Sequence, residues 1–124
     1  MMLLPLGLSA QQQTPEEEEK QLRQAIEAQI EELSTILDLE YWQEFYLDSI
    51  MTHDYGAMRD ELNELSKARM SNFDAYQRVQ DKWNEKMYQA FSKVFTEDQW
   101  NKYLKAGAQR DKKNRDKREA KRMQ

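Results

Sequence analysis

Apolar side chains recur along this chain at helical rather than strand spacing. Leu22, Ile26, Ile30, Leu33 and Leu37 fall every three to four positions, which is the period of one helix face. The stripe is narrow and predicts a helix that packs on one neighbour. Its start is marked by Thr14 as cap, Pro15 at the first helical position and Glu16, Glu17 and Glu18 behind it. A second helix is expected from near Asp38 to about Met70, with Trp42, Phe45, Tyr46, Ile50, Met58, Leu62 and Leu65 facing inward. Gly56, near its middle, costs about 1 kcal/mol relative to Ala, and a continuous helix is expected to survive that. Ser71-Asn72 supplies the next cap. The third helix, about Phe73 to Val94, carries the clearest heptad: Phe73, Tyr76, Gln80, Trp83, Met87, Ala90 and Val94, with Val79 and Phe91 beside it. A fourth helix holds Trp100, Tyr103 and Leu104 and then runs out of apolar residues.

The corner between the third and fourth helices is the most specific local signal. In Phe95-Thr96-Glu97-Asp98-Gln99-Trp100, Thr96 is placed to cap and Gln99 to return a bond to the Thr96 N–H, a capping box. Glu97 and Asp98 put negative charge in the first turn, where the helix dipole favours it. Phe95 and Trp100 are spaced as a hydrophobic staple. A fainter copy lies 56 residues upstream at Leu39-Glu40-Tyr41-Trp42-Gln43. In both copies an apolar residue is followed four positions later by Gln, and a Tyr-Leu pair comes soon after, Tyr46-Leu47 and Tyr103-Leu104. Glu is a poor N-cap, so Asp38 is expected to cap the second helix, with Leu37 and Trp42 as the staple.

The doubled pattern resembles the Leu-Thr-x-x-Gln signature of the Spy/CpxP family of small helical periplasmic proteins. Phe95 stands for Leu in the second copy and Glu40 for Thr in the first. The resemblance spans roughly residues 37–104. It implies an α-helical cradle built by an antiparallel dimer and ATP-independent holding of unfolded clients in the periplasm. Some relatives in that family are described as metal sensors.

Composition adjusts this picture. In 124 residues there are 34% charged and 10% aromatic residues, 3 Gly, 2 Pro and no Cys. A chain so polar cannot bury much of itself, yet it is too aromatic for plain disorder. The expected architecture is all-α: about four amphipathic helices in an extended hairpin or cradle, with apolar surface left for a dimer partner or a client. The absence of cysteine excludes disulfides, thiolate metal sites and a cysteine nucleophile. Residues 16–64 hold 15 Asp/Glu against 3 Lys/Arg, and residues 65–124 hold 8 against 16. The acidic half should therefore attract the basic half, within the chain or across a dimer. Residues 1–10 read as the tail of a secretory signal cut after Ala10, and residues 11–15 as a disordered linker. Residues 16–104 form the helical domain, and residues 105–124 a basic tail, helical or frayed, that projects and buries nothing.

Candidate chemistry is sparse. One histidine, His53, and no cysteine leave few nucleophiles or tuned bases, so no enzymatic activity and no cofactor is expected. A carboxylate-bridged di-iron bundle needs Glu-x-x-His, and the residue three before His53 is Ile50. His53 with Met51 and Met58 is too poor a ligand set for a soft metal and reads as a helix-face histidine. The basic tail lacks the aromatics that stack on bases, so it reads as a solvated run, or as a contact to the acidic half or to anionic envelope lipids, not to nucleic acid. Candidate motif residues are Asp38, Leu39, Gln43, Phe95, Thr96, Gln99 and Trp100. The candidate client-binding face is Trp42, Phe45, Tyr46, Tyr76, Trp83, Met87 and Phe91. The rival readings are a structural or adaptor helical protein that docks one fixed partner through the third-helix heptad, and a periplasmic metal-stress sensor.

Overall fold

The computed structural model describes residues 13–124; the expected signal remnant lies outside the described residues. The chain is all-α. Helix α1 spans Pro15–Leu37, α2 Tyr41–Lys67, α3 Phe73–Val94 and α4 Glu97–Tyr103; a π-turn at Leu104–Ala108 then leads into α5, Gln109–Arg122. No helix among the described residues is long and apolar enough to cross a membrane.

Each start follows its local chemistry. Thr14 Oγ1 accepts from the Glu17 N–H at 3.1 Å and the Glu17 carboxylate accepts from the Thr14 N–H at 2.9 Å, a closed capping box. Pro15 is the first residue of α1, as the Thr14–Pro15 start signal predicts, so the linker ends one residue earlier than residues 11–15 would have it. The Asn72 side chain caps α3 by accepting from the Asp74 N–H at 2.9 Å. Helix α2 runs unbroken through Gly56.

Helix α2 packs against both α1 and α3, α4 returns to α1, and α5 returns to α3. The core is drawn from all three long helices: Ile26, Leu33 and Leu37 of α1, Leu47, Met51 and Met58 of α2, Met87 and Phe91 of α3, with Phe95 in the corner. The α1 stripe is thus buried as its spacing predicts. The inward face of α2 departs from the expected one in its first turns only: Met58 is buried and Ile50 and Leu62 pack against the core as expected. Gln43, Leu47, Met51 and Met58 point inward, while Trp42, Phe45 and Tyr46 lie outside. One buried amide rotates the register, because a fully hydrogen-bonded polar group can occupy an interior position that hydrophobicity alone would give to an aromatic. In α3 the expected heptad fails in its N-terminal part, where Phe73 and Gln80 are exposed and Asp81 is buried, and holds toward Val94. At the α3–α4 end, Phe91, Phe95, Trp100, Tyr103 and Tyr88 form a ring cluster. Tyr88 and Trp100 meet edge-on at 4.9 Å, and Phe95 and Tyr103 at 5.4 Å. Such pairs contribute about 0.5–1.5 kcal/mol each beyond burial.

The basic tail does not project. Helix α5 lies back along α3, and Arg115 is buried. Arg118 grips Asp81 with two hydrogen bonds of 2.8 and 2.9 Å, Arg122 reaches Asp74 and Asp81 at 3.2 Å, and Lys112 and Arg115 hold Glu85 at 2.9 and 3.2 Å. These acids belong to the C-terminal half, so the tail cations they hold are answered there rather than by residues 16–64. Lys82 with Glu61, at 2.6 Å, is a pair that does join the two halves.

Candidate functional site: a glutamine clasp beneath an aromatic patch

Both corners start from capping chemistry. At the second, Thr96 Oγ1 accepts from the Gln99 N–H at 3.2 Å, Gln99 Oε1 accepts from the Thr96 N–H at 2.9 Å, and the Phe95 and Trp100 rings sit 6.4 Å apart as the staple. At the first, Asp38 does not cap α2. It ends α1 in the left-handed region at φ 55°, ψ 58°, with its N–H donating to the Ser34 carbonyl, a conformation Asp tolerates better than most residues. Glu40 is the N-cap, and its N–H donates to Gln43 Oε1 at 2.9 Å. The residues flanking that box are Leu39 and Glu44, so the expected Leu37–Trp42 staple has no place in it.

The two motif glutamines meet across 56 residues of sequence. Gln43 Nε2 donates to Gln99 Oε1 at 2.6 Å, and Gln99 Nε2 donates to Gln43 Oε1 at 3.1 Å. Each amide spends its second N–H on a helix end: Gln43 on the Val94 carbonyl at 3.1 Å, Gln99 on the Leu37 carbonyl at 3.3 Å. Those carbonyls belong to the last residues of α3 and α1 and have no partner within their own helices. Every donor and acceptor of both amides is thereby used. The clasp ties each helix start to the end of the helix that enters the other corner. Gln43 is 1% exposed, and complete pairing is what makes its burial tolerable.

Immediately above Gln43 on α2 lies an exposed aromatic patch. Tyr41 is 91% exposed, Phe45 66%, Tyr46 52% and Trp42 50%. The Trp42 and Phe45 rings both meet Tyr46 edge-on, at 6.2 and 5.7 Å. Tyr41, Phe45 and Ile30 line a shallow groove between α1 and α2 whose charged margin is Arg23, Glu27, Glu31, Glu44 and Asp48. Arg23 pairs with Asp48, so the acids dominate what the groove presents.

The other residues expected on this face lie elsewhere. Tyr76 is half-buried and its hydroxyl donates to the Met70 carbonyl at 2.7 Å. Trp83 is held at the α2–α3 seam, its indole N–H donating to Glu61 at 2.5 Å. The Lys82 and Lys86 ammonium groups lie 5.2 and 5.3 Å from its ring. Hydrogen bonds from Lys82 and Trp83 hold the Glu61 carboxyl below its ordinary pKa. Met87 and Phe91 are core residues and offer nothing to a surface. The spacing of four aromatics within Tyr41–Tyr46 is the signal that would have placed Tyr41 in the patch. His53 stands out in solvent with Nδ1 2.7 Å from Asp54. Among the described residues no group of three or more His, Cys, Asp or Glu side chains converges as metal ligands. Comparison with protein-family models, with curated proteins and with solved structures finds no match.

Proposed function

We propose that this chain is a Spy/CpxP-like periplasmic binding protein that holds unfolded segments on the aromatic patch of α2 without using ATP. The observation that carries the reading is the cluster Tyr41, Trp42, Phe45 and Tyr46, at least half exposed and gathered at one end of a helix whose root is fixed by the glutamine clasp. A contiguous exposed aromatic surface on a rigid element is a binding surface by default. Fully burying one such ring removes roughly 150–250 Å² from water. At about 25 cal/mol per Å², two or three partly buried rings support the weak, sequence-tolerant grip a holding protein needs. The acidic margin of the adjoining groove favours clients that mix apolar residues with Lys and Arg. A homodimer, the arrangement the family resemblance implies, would set two patches facing one client.

The test is aggregation of a denatured basic model protein on dilution, followed by light scattering, with the chain at near-stoichiometric amounts. Wild type should suppress scattering. The triple variant Trp42→Ser, Phe45→Ser, Tyr46→Ser should keep its helical circular dichroism and lose suppression. Undiminished suppression by the triple variant would overturn the assignment of the patch, and absence of suppression by wild type would leave the adaptor reading in its place.

A further inference from the structure

Helix α5 covers a surface it does not fit. Among its residues only Arg115 is buried, and it carries no apolar side chain larger than Ala between Gln109 and Arg122. Beneath it lies a cavity of about 350 Å³ whose walls on the body of the protein set Tyr55, Tyr88 and Tyr103 among the polar Gln29, Gln77 and Asn84, while α5 contributes Asp111, Asn114, Arg115 and Arg118. Tyrosine rings facing a polar helix across open space leave part of their dispersion contacts unmade. The helix is held at its edges instead, by Lys112 and Arg115 on Glu85, Arg118 on Asp81, and Arg122 on Asp74 and Asp81. The Arg115 guanidinium and Lys112 ammonium add contacts to the Tyr88 ring at 5.3 and 5.5 Å. All of these attachments are electrostatic.

The connection to α4 is built to bend. Leu104–Ala108 is a π-turn, and Gly107 sits inside it at φ 134°, ψ −19°, a conformation that side-chain-bearing residues rarely adopt. A Cβ there would meet only the far end of the Arg110 side chain, at 3.7 Å. Backbone freedom, not space, is therefore what Gly supplies.

We propose that α5 is a displaceable strap, swinging on Gly107, which in its closed position withholds the aromatic floor of Tyr55, Tyr88 and Tyr103 from binding. Opening exposes that floor as a second aromatic surface with the acids Asp81 and Glu85 on its rim, the same mixture of aromatic and negative character as the α2 patch. Raised ionic strength loosens the strap, because the screening length shrinks from about 10 Å at 0.1 M salt to about 3 Å at 1 M and weakens the more open Lys112–Glu85, Arg118–Asp81 and Arg122–Asp74 pairs, the enclosed Arg122–Asp81 pair least. A cationic client opens it by competing for Asp81 and Glu85.

The consequence for binding rests on the proposed holding function, whereas the opening does not, and the experiment separates them. Amide hydrogen exchange of the full chain is measured in 0.05 and 1 M NaCl for wild type, for Arg118→Glu/Arg122→Glu, and for a charge-swapped variant that adds Asp74→Lys/Asp81→Lys. Salt or the double reversal should speed exchange across residues 109–122 at least tenfold while the amides of Leu47 and Met51 change less than twofold, and the swap should restore protection. Exchange of 109–122 that follows the core under every condition overturns the strap. So does a strap unprotected in wild type at low salt. In the aggregation assay the double reversal should suppress scattering at about half the wild-type dose. An open strap with unaltered suppression overturns the withholding role, and loss of suppression in all variants with the exchange pattern intact overturns the holding function but not the strap.

Discussion

The Gln43–Gln99 pair makes the sharpest energetic claim. Truncating Gln43 to Ala removes four hydrogen bonds, two shared with Gln99 and one each with the Glu40 N–H and the Val94 carbonyl. A net value of about 1 kcal/mol per bond, offset in part by water entering the corner, gives a loss of roughly 3 kcal/mol. Gln99 is only half-buried, so water replaces more of its bonds, and Gln99→Ala should cost about 2 kcal/mol. Either single change already forfeits the two shared bonds. The double variant should therefore lose about 3.5 kcal/mol instead of the additive 5, a coupling of about 1.5 kcal/mol. Urea unfolding followed at 222 nm reads this directly, since at a slope of about 1–3 kcal/mol per molar the Gln43→Ala midpoint moves by one molar or more. Gln43→Glu sharpens the test. A carboxylate has no hydrogen to offer Val94 or Gln99, and its lone pairs would face theirs; the protonated acid can donate one bond. The folded-state pKa of that Glu is raised, so its contribution is present at low pH and lost as pH rises through the raised value. Relative to wild type the variant should be more stable at pH 4 than at pH 7. Single variants that each cost under about 0.5 kcal/mol, or strict additivity, would refute the clasp as described.

Further outcomes follow from packing, backbone and charge. A Cβ at Gly56 meets nothing within 4 Å, so Gly56→Ala should gain about 1 kcal/mol and raise the melting temperature by about 4 °C in calorimetry. Phe91, 2% exposed, should cost about 3–5 kcal/mol on truncation to Ala, whereas Trp42→Ala in the patch should change the unfolding free energy from urea titration by less than about 0.5 kcal/mol. In acid, burial alone would raise the carboxyls of Asp81 and Glu85, but the hydrogen bonds from Arg118, Gln77 and Arg122 on the first and from Lys112, Gln89 and Arg115 on the second outweigh it and hold both below their ordinary pKa. Their stabilisation is complete above the unfolded carboxylate range of about 4 and is lost as pH falls through the depressed folded values; Asp81→Asn should flatten the stability curve below about pH 4.

What the sequence disclosed was governed by distance along the chain. The Thr96 box, the Phe95–Trp100 staple, the Thr14 cap and the α1 stripe involve neighbours within five residues or one helical period, and local rules found them. Asp38 misled because, taken alone, it is the better cap; the actual register lets it end α1 while Glu40 begins α2, a choice fixed by the amide pair. The pattern points Trp42, Phe45 and Tyr46 inward for the same reason, since nothing near Gln43 reveals that a partner 56 residues away will satisfy it. The tail is expected to project because it carries so few apolar residues, and nothing local reveals that Lys112, Arg115, Arg118 and Arg122 reach acids on α3. The exposed part of the candidate face was legible as aromatic surplus, but its division from the core residues Met87 and Phe91 depended on how α2 turns.

The paired glutamines also bear on how the chain is made. Synthesis delivers Gln43 well before Gln99, so Gln43 faces a mate that has not yet been translated, and the hairpin of α1 and α2 should remain labile until Gln99 has emerged. Cutting the loop between Met70 and Phe73 would leave two fragments, each poorly ordered alone. Mixing them should restore helical signal at equal molar ratio, as two halves of one fastening.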